Sequence, residues 1–261
     1  MLSLNIGASG MLAQQLNVDV ISNNLANMTT TGYKRQRAQF QDLMYQNIER
    51  PGATSSDVGT IVPSGIQLGL GVKAASVHRL HSQGSAIITD NEFDVAIMGE
   101  GYFQIELPSG ETAYTRDGSF QVNGDGEIVT SNGYVVEPTI VVPDDAISIV
   151  INNSGEVLAQ IDGQADMTNL GQLELSVFAN KAGLEAVGQN LFLETEASGA
   201  PIAGNPNADG FGRIEQGVLE AANVNSVEEI TNLITAQRAY EFNSQIVQVS
   251  DQMLEAASNL R

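Results

Sequence analysis

The sequence has no cysteine and no tryptophan, and aromatic residues make up only 5% of its 261 positions. Without cysteine there is no thiolate nucleophile, no Cys-ligated zinc and no disulfide. No run of about 18 apolar residues occurs, so no segment has the pattern of a membrane-spanning helix. Cations are scarce too: 11 Lys and Arg stand against 31 Asp and Glu, a net charge of −20. The deficit is uneven. Residues 1–50 carry +1 and residues 223–261 carry −3, which leaves −18 on the middle. Nucleic acid and anionic membrane are poor partners for such a surface.

The chemistry of an active site is missing as well. The two histidines, His78 and His81, stand in a stretch read as extended, with no acid or cysteine beside them; they read as surface histidines rather than metal ligands. Asn123 to Glu127 imitates the start of a calcium loop, but Ile128 stands where that loop needs glycine. There is no Gly-x-Ser-x-Gly elbow and no catalytic Ser/His/Asp order. The expectation is no catalytic residue, no cofactor and no metal.

What is present is a long helical pattern at each end. Ser226 to Leu260 is a long run without Gly or Pro in a chain that holds 26 Gly and 7 Pro. Ser226 can cap it, and Glu228 and Glu229 suit the positive end of the helix dipole. Its apolar stripe runs Val227, Ile230, Ile234 and Gln237, slips by five, and resumes at Phe242, Ile246, Val249, Met253, Ala256 and Leu260. These spacings predict a coiled-coil seam with one phase break. At the other end Leu4, Met11, Val18 and Leu25 recur every seven residues. Gly7 and Gly10 weaken that helix by about 1 kcal/mol each relative to alanine. It stops in the Asn-rich stretch Asn23 to Asn27, followed by Thr29 to Gly32. One helix enters the middle region and the other leaves it, so a pair between them is antiparallel.

Between the helices the pattern changes. The basic trio Lys34, Arg35 and Arg37 either faces acids on a neighbouring subunit or is a solvated turn. Residues 45–71 are rich in Gly, Ser, Thr and Pro and end in the alternation Ile66, Leu68, Leu70, Val72. A structureless loop of that length is uncommon in a compact domain, so an extended hairpin is expected, with its partner outside its own domain. Beyond residue 72, short alternating segments separated by Ser109-Gly110, Asn123-Gly124, Asn132-Gly133 and Ser154-Gly155 predict an antiparallel β domain. Two of the turns, at Asn123 to Ile128 and at Asn152 to Val157, resemble each other.

The expected class is mixed α+β: discontinuous terminal helices paired as an antiparallel coiled coil, an extended hairpin insert and a central, mainly antiparallel β domain. The boundaries are 1–27 with 226–261 for the helices, 28–71 for the connecting segment and 72–225 for the β domain.

Several blocks together resemble the bacterial flagellar basal-body rod protein family. They are Asn23-Asn24-Leu25-Ala26-Asn27 with Gly32-Tyr33-Lys34, Phe93 to Phe103, Tyr114 to Phe120, Phe178 to Leu184, Gln216 to Asn225, and Gln237-Arg238-Ala239-Tyr240. The blocks run in order over nearly the whole chain. The insert, with Tyr45, Arg50-Pro51-Gly52 and Pro63-Ser64-Gly65, is most similar to the distal-rod branch. One departure is Ala222, where the family usually has serine. The resemblance implies a structural subunit of a helical homopolymer, the hollow drive shaft that carries torque across the periplasm to the hook. It implies proximal rod and hook subunits and the P- and L-ring bushing as partners, and export by the flagellar type III apparatus. A proximal rod or hook subunit is the alternative. The N-terminus has neither the basic leader nor the apolar core of a Sec signal peptide. Leu4, Met11, Val18, Leu25, Ile230, Ile234, Phe242, Ile246, Val249, Met253 and Leu260 are the expected self-assembly residues, and the insert is expected to contact a neighbouring subunit.

Overall fold

The structure, a computed structural model, describes residues 2–49, 64–162 and 166–259. Arg50, Pro51, Gly52, Pro63 and Leu260 lie outside them. The described chain divides into two compact units: residues 1–25, 36–78 and 225–261 in the first, and residues 26–35 and 79–224 in the second.

The first unit contains both long helices, α1 (Leu2–Ala26) and α2 (Ser226–Asn259). The cap of α2 differs from the expected one. Asn225, not Ser226, supplies it: its Oδ1 accepts from the backbone N–H of Val227 (3.1 Å) and Glu228 (3.4 Å), as an N-cap side chain does. Four strands complete this unit: β1 (Gln36–Asp42), β2 (Tyr45–Glu49), β3 (Ile66–Gly69) and β4 (Val72–Arg79). β1 pairs with β4 and β2 pairs with β3. Backbone bonds from Leu43 to Gly71 (2.8 Å) and from Leu70 to Met44 (3.2 Å) join the two pairs. The result is one continuous two-stranded ribbon. The residues around Arg37, read as a link, are therefore strand. Tyr45 lies across the ribbon from Gly69, and its ring covers the space a side chain would fill there. Next along the ribbon, Gly71 sits on α1: a Cβ there would strike the Ser9 hydroxyl, which also accepts the Val72 N–H at 3.3 Å.

The second unit is built of short strands: β5 (Ala86–Ile88), β6 (Val95–Met98), β7 (Tyr102–Glu106), β8 (Thr112–Thr115), β9 (Phe120–Val122), β10 (Ile128–Thr130), β11 (Val135–Glu137), β12 (Ala146–Ile151), β13 (Glu156–Ile161), β14 (Thr168–Gln172), β15 (Leu175–Val177), β16 (Glu185–Gly188), β17 (Leu191–Leu193), β18 (Ile202–Gly204), β19 (Arg213–Gln216) and β20 (Val218–Glu220). β7 is the hub of a nine-stranded antiparallel sheet, pairing with β8, β11 and β15. Alternation along β7 sends Phe103 and Ile105 to one face and Tyr102 to the other. The first face joins Val95, Ile97, Val136, Val157, Leu175 and Ile214 in the main core. The second joins Tyr114, Phe178, Leu184 and Phe192 in a smaller aromatic cluster.

Four hairpin turns in this unit share one geometry: Leu107–Glu111, Asn123–Glu127, Thr130–Tyr134 and Asn152–Glu156. In each, the first N–H bonds the fifth carbonyl and the fourth N–H bonds the first carbonyl. The fourth residue is Gly110, Gly126, Gly133 or Gly155, with φ of 81°, 83°, 83° and 80°, a conformation that favours glycine. The resemblance between the second and fourth turns extends to their side chains. Asn123 Oδ1 accepts the Asp125 and Glu127 N–H groups, and Asn152 Oδ1 accepts those of Ser154 and Glu156. In the turn that imitates a calcium loop, the Asn123 oxygen thus serves the turn's own backbone, and Glu127 Oε2 accepts from the Asn123 amide.

His81 is not a surface histidine. Its Nδ1 lies 2.8 Å from the Tyr102 hydroxyl, and its ring meets Tyr102 and Phe192 edge-on. Burial, then the charges of Lys34, Lys181, Arg79 and Arg116, push its pKa down to about 4. The unfolded chain takes up this proton near 6.5 while the folded chain refuses it until about 4. The stability that neutral His81 contributes is therefore whole above pH 6.5 and drains away as the pH falls towards 4. We expect denaturant midpoints of wild type to decline across that window, and those of His81→Gln to stay level there.

Candidate assembly surface

The helix pair can be followed contact by contact within the first unit. The Asn24 amide donates to Glu229 Oε2 at 3.3 Å. A Cβ placed on Gly10 would lie 2.9 Å from the Asn243 side chain, and one on Gly7 would lie 2.9 Å from Val247 Cγ2 and 3.7 Å from Ile246 Cγ2. Going back along α1 from Asn24 to Gly10 to Gly7 goes forward along α2 from Glu229 to Asn243 to Val247, so the helices run antiparallel. Gly7 and Gly10 are the points of closest approach, a packing use that offsets their cost to helix propensity.

The residues that make this seam are not those the apolar spacing picked out. On α2 the buried side chains are Glu229, Ala236 and Ser250, with Leu233, Asn243 and Val247 half-buried between them. That row advances by four, three, seven, four and three, in heptad phase throughout. On α1 the buried residues are Gly7, Ala13, Val20, Ile21 and Asn24, and Leu4, Met11, Val18 and Leu25 are half-buried beside them. The apolar row of α2 points elsewhere: Val227, Ile230, Ile234, Phe242, Ile246, Val249 and Met253 are all exposed, Phe242 by 62%. Gln237 and Tyr240 line a shallow groove with Gln15, Val18 and Glu241; Arg238 is exposed and Ala239 half-buried. Residues 251–259 are exposed throughout.

The Asn-rich motif has a structural role in this arrangement. Asn24 is 1% exposed. Its amide donates to the Gln36 carbonyl and its Oδ1 accepts the Gln36 N–H, each at 2.8 Å. One side chain thereby ties the end of α1 to the start of β1 as a neighbouring strand would. Its neighbours are Asn23, which is exposed, Leu25, which is half-buried, and Ala26, which is exposed. Asn27 Oδ1 accepts from Thr30 Oγ1 at 3.3 Å.

Within the second unit three distant motif blocks meet at one carboxylate. Glu220 Oε1 lies 2.6 Å from Lys34 Nζ, and its Oε2 lies 2.9 Å from Arg116 Nε. The three residues are 2%, 2% and 5% exposed in the order Glu220, Lys34, Arg116. Lys34 also donates to the Ser82 carbonyl, the Gly84 N–H donates to Glu220, and Arg116 donates to the Gly99 and Gly101 carbonyls. Gly32 N–H bonds the Glu220 carbonyl at 2.8 Å. A Cβ at Gly32 would lie 2.7 Å from the Asp117 nitrogen, so no other residue fits there. Tyr33, half-buried, accepts the Asn223 N–H at its carbonyl. Lys34 is thus neither a solvated residue nor a contact for a neighbouring subunit. Burial pushes the Glu220 carboxyl up, but Arg116, Lys34 and their hydrogen bonds outweigh it and hold the pKa below the usual range. For Lys34 burial outweighs the attraction of Glu220, and its pKa is lowered.

On the ribbon, Met44, Tyr45, Ile48, Ile66 and Leu68 are exposed large apolar residues, and Gly65 stands just before β3. Groups of three or more residues able to hold a metal are absent among the described residues.

Comparison with known proteins accounts for this combination of surface and motif. Residues 4–34 match the family model described as flagella basal body rod protein. Residues 96–159 match the flagellar hook protein FlgE/F/G D1 domain, and residues 215–260 match the flagellar basal body rod FlgEFG protein C-terminal model. The flagellar basal-body rod protein FlgG of Caulobacter vibrioides is 57% identical over 100% of both chains. The chain belongs to the flagellar basal-body rod protein family. FlgG of Agrobacterium fabrum is 50% identical over 99% of this chain and 98% of its own. FlgG of Bacillus subtilis is 38% identical over 99% and 98%. Family membership makes this a structural rod subunit of the basal body that assembles with other rod and hook subunits. The Asn-rich stretch and the blocks holding Lys34, Arg116 and Glu220, on which the resemblance rests, are the ones the two hydrogen-bonded centres use.

Proposed function

We propose that this chain is the distal rod subunit of the bacterial flagellum. It polymerises into a rigid hollow shaft that transmits torque across the periplasm to the hook. The observation that carries the reading is the apolar row of α2, which the chain's own helix pair leaves uncovered. A row of seven exposed large apolar residues on one helix is surface that asks for a partner, and identical copies supply it. The terminal helices line the shaft, the β unit forms its outer face within the P and L rings, and the ribbon around Tyr45 and Leu68 lies against a neighbouring subunit. Export is through the flagellar type III apparatus, and the subunit performs no catalysis.

Electron microscopy of concentrated protein tests this. Straight filaments are expected, and they should become flexible when residues 46–68 are replaced by a short turn. Monomers at every concentration would count against polymerisation. Filaments of unchanged stiffness would remove the ribbon from the account.

A further inference from the structure

Asn132 and Asn123 are the two asparagines followed by glycine in this sequence, and the structure sets them apart chemically. Both lie in hairpin turns of the same backbone geometry, Asn123 as the first residue of its turn and Asn132 as the third. The Asn123 amide is held at both ends. Its Oδ1 accepts from Asp125 N–H and Glu127 N–H, each at 2.9 Å, and its Nδ2 donates to Glu127 Oε2 at 2.9 Å. The Asn132 side chain is exposed and takes part in none of the hydrogen bonds of the described residues. The turn around it faces solvent, since a Cβ on Gly133 would meet nothing within 4 Å. The turn is closed by Thr130 N–H to the Tyr134 carbonyl at 2.8 Å and Tyr134 N–H to Thr130 Oγ1 at 3.2 Å, and the attacking nitrogen itself is held by one bond, from Gly133 N–H to the Thr130 carbonyl at 2.9 Å.

We propose that Asn132 is a site of spontaneous deamidation, and that Asn123 is protected by its own turn. In this reaction the deprotonated backbone nitrogen of Gly133 attacks Cγ of Asn132. The N–C bond closes a five-membered succinimide, and the side-chain nitrogen leaves as ammonia. Water then opens the ring at one of its two carbonyls, giving aspartate or isoaspartate. No oxidant or cofactor is consumed. Glycine at the following position matters because no side chain hinders ring closure. At Asn123 the same attack requires the amide to rotate, which breaks three hydrogen bonds at once, each with its own net cost. At Asn132 only the one turn bond at the tip must open. The product adds a negative charge between β10 and β11, and the isoaspartate form also lengthens the main chain by one carbon.

The test uses the full-length protein, incubated in mildly alkaline buffer and sampled over days. Cleavage after Glu127 places the two asparagines in separate peptides, and tandem mass spectrometry reads the exchange of an amide for an acid at each. Conversion at Asn132 is expected to be about tenfold faster or more than at Asn123, a barrier difference of at least about 1.4 kcal/mol. In urea the two rates should converge. Glu127→Ala, which loses that cleavage site and leaves both asparagines in one peptide resolved by its fragment ions, should raise the rate at Asn123 and leave Asn132 unchanged. Equal rates in the folded protein, or an Asn132 that converts only in urea, would overturn the proposal.

Discussion

Glu220→Gln should destabilise the β unit by about 3–5 kcal/mol, the cost of removing one partner from a buried ion pair. Glutamine keeps the shape but removes the only acid that Lys34 and Arg116 share. Two buried cations are then left against a neutral amide, 2.6 and 2.9 Å from where the carboxylate stood. For a unit of this size each kcal/mol moves the thermal midpoint by roughly 2–4 °C, so the shift is large enough to read in a single melting curve. Lys34→Met should cost less, because it leaves Arg116 and Glu220 as a neutral pair. Arg116→Met falls between or above, since the Gly99 and Gly101 carbonyls also lose their donor. The pH profile supplies a second reading. Because the pKa of Glu220 is lowered in the fold, its contribution is present above the unfolded value of about 4.3. It is lost as the pH falls through the folded value. Wild type should therefore lose stability at the acid end of the profile, where Glu220→Gln has nothing left to lose. Equal stabilities of wild type and Glu220→Gln at neutral pH would show that the cluster is not holding the unit together.

Phe242→Asp should weaken assembly at least about tenfold and leave the isolated subunit as it was. Phe242 is 62% exposed, so the subunit gives up little packing when it is replaced. Burying a side chain of this size in a polymer contributes about 1.5–3 kcal/mol, and each 1.4 kcal/mol is about a factor of ten in affinity. The aspartate adds the cost of desolvating a charge, in a chain already at −20. The critical concentration should rise at least about tenfold, measured as the protein left in the supernatant after pelleting. The circular dichroism spectrum of the dilute subunit should match that of wild type. A variant that pellets normally would remove Phe242 from the assembly surface.

Much of this was legible in the sequence, and what was not has a common cause. Period and breaker residues mark the two helices and the hairpin turns, because those signals are local. The Asn-x-x-Gly-Glu repeat marks two turns of one geometry. Apolar spacing along α2 also identifies a face that needs covering. It does not say what covers it. The intrachain seam is made instead by Gly7, Gly10, Ala236, Asn243 and Ser250, whose size matters only once two helices meet. No single-helix pattern singles them out, and the two glycines look like defects until α2 is placed beside them. Lys34 was misread for a related reason. A lysine beside two arginines looks solvated, and its partner Glu220 is 186 positions away. The available signal was an acid inside the apolar run Val218-Leu219-Glu220-Ala221-Ala222, which hydropathy alone cannot match to Lys34 or Arg116. His81 likewise became half-buried through Tyr102 and Phe192, neither of which is near it in sequence.

The central claim is that the terminal helices of one chain pair through their small residues, which leaves the apolar row of α2 for other copies. The absence of cysteine makes a direct measurement simple. With Gly10→Cys and Asn243→Cys in one chain, the two Cβ atoms should lie within the roughly 3.5–4.5 Å that a disulfide spans. Mild oxidation followed by a non-reducing gel should give a cross-linked monomer band at every protein concentration. Failure to cross-link, or cross-links that form only between chains as the concentration rises, would contradict the account.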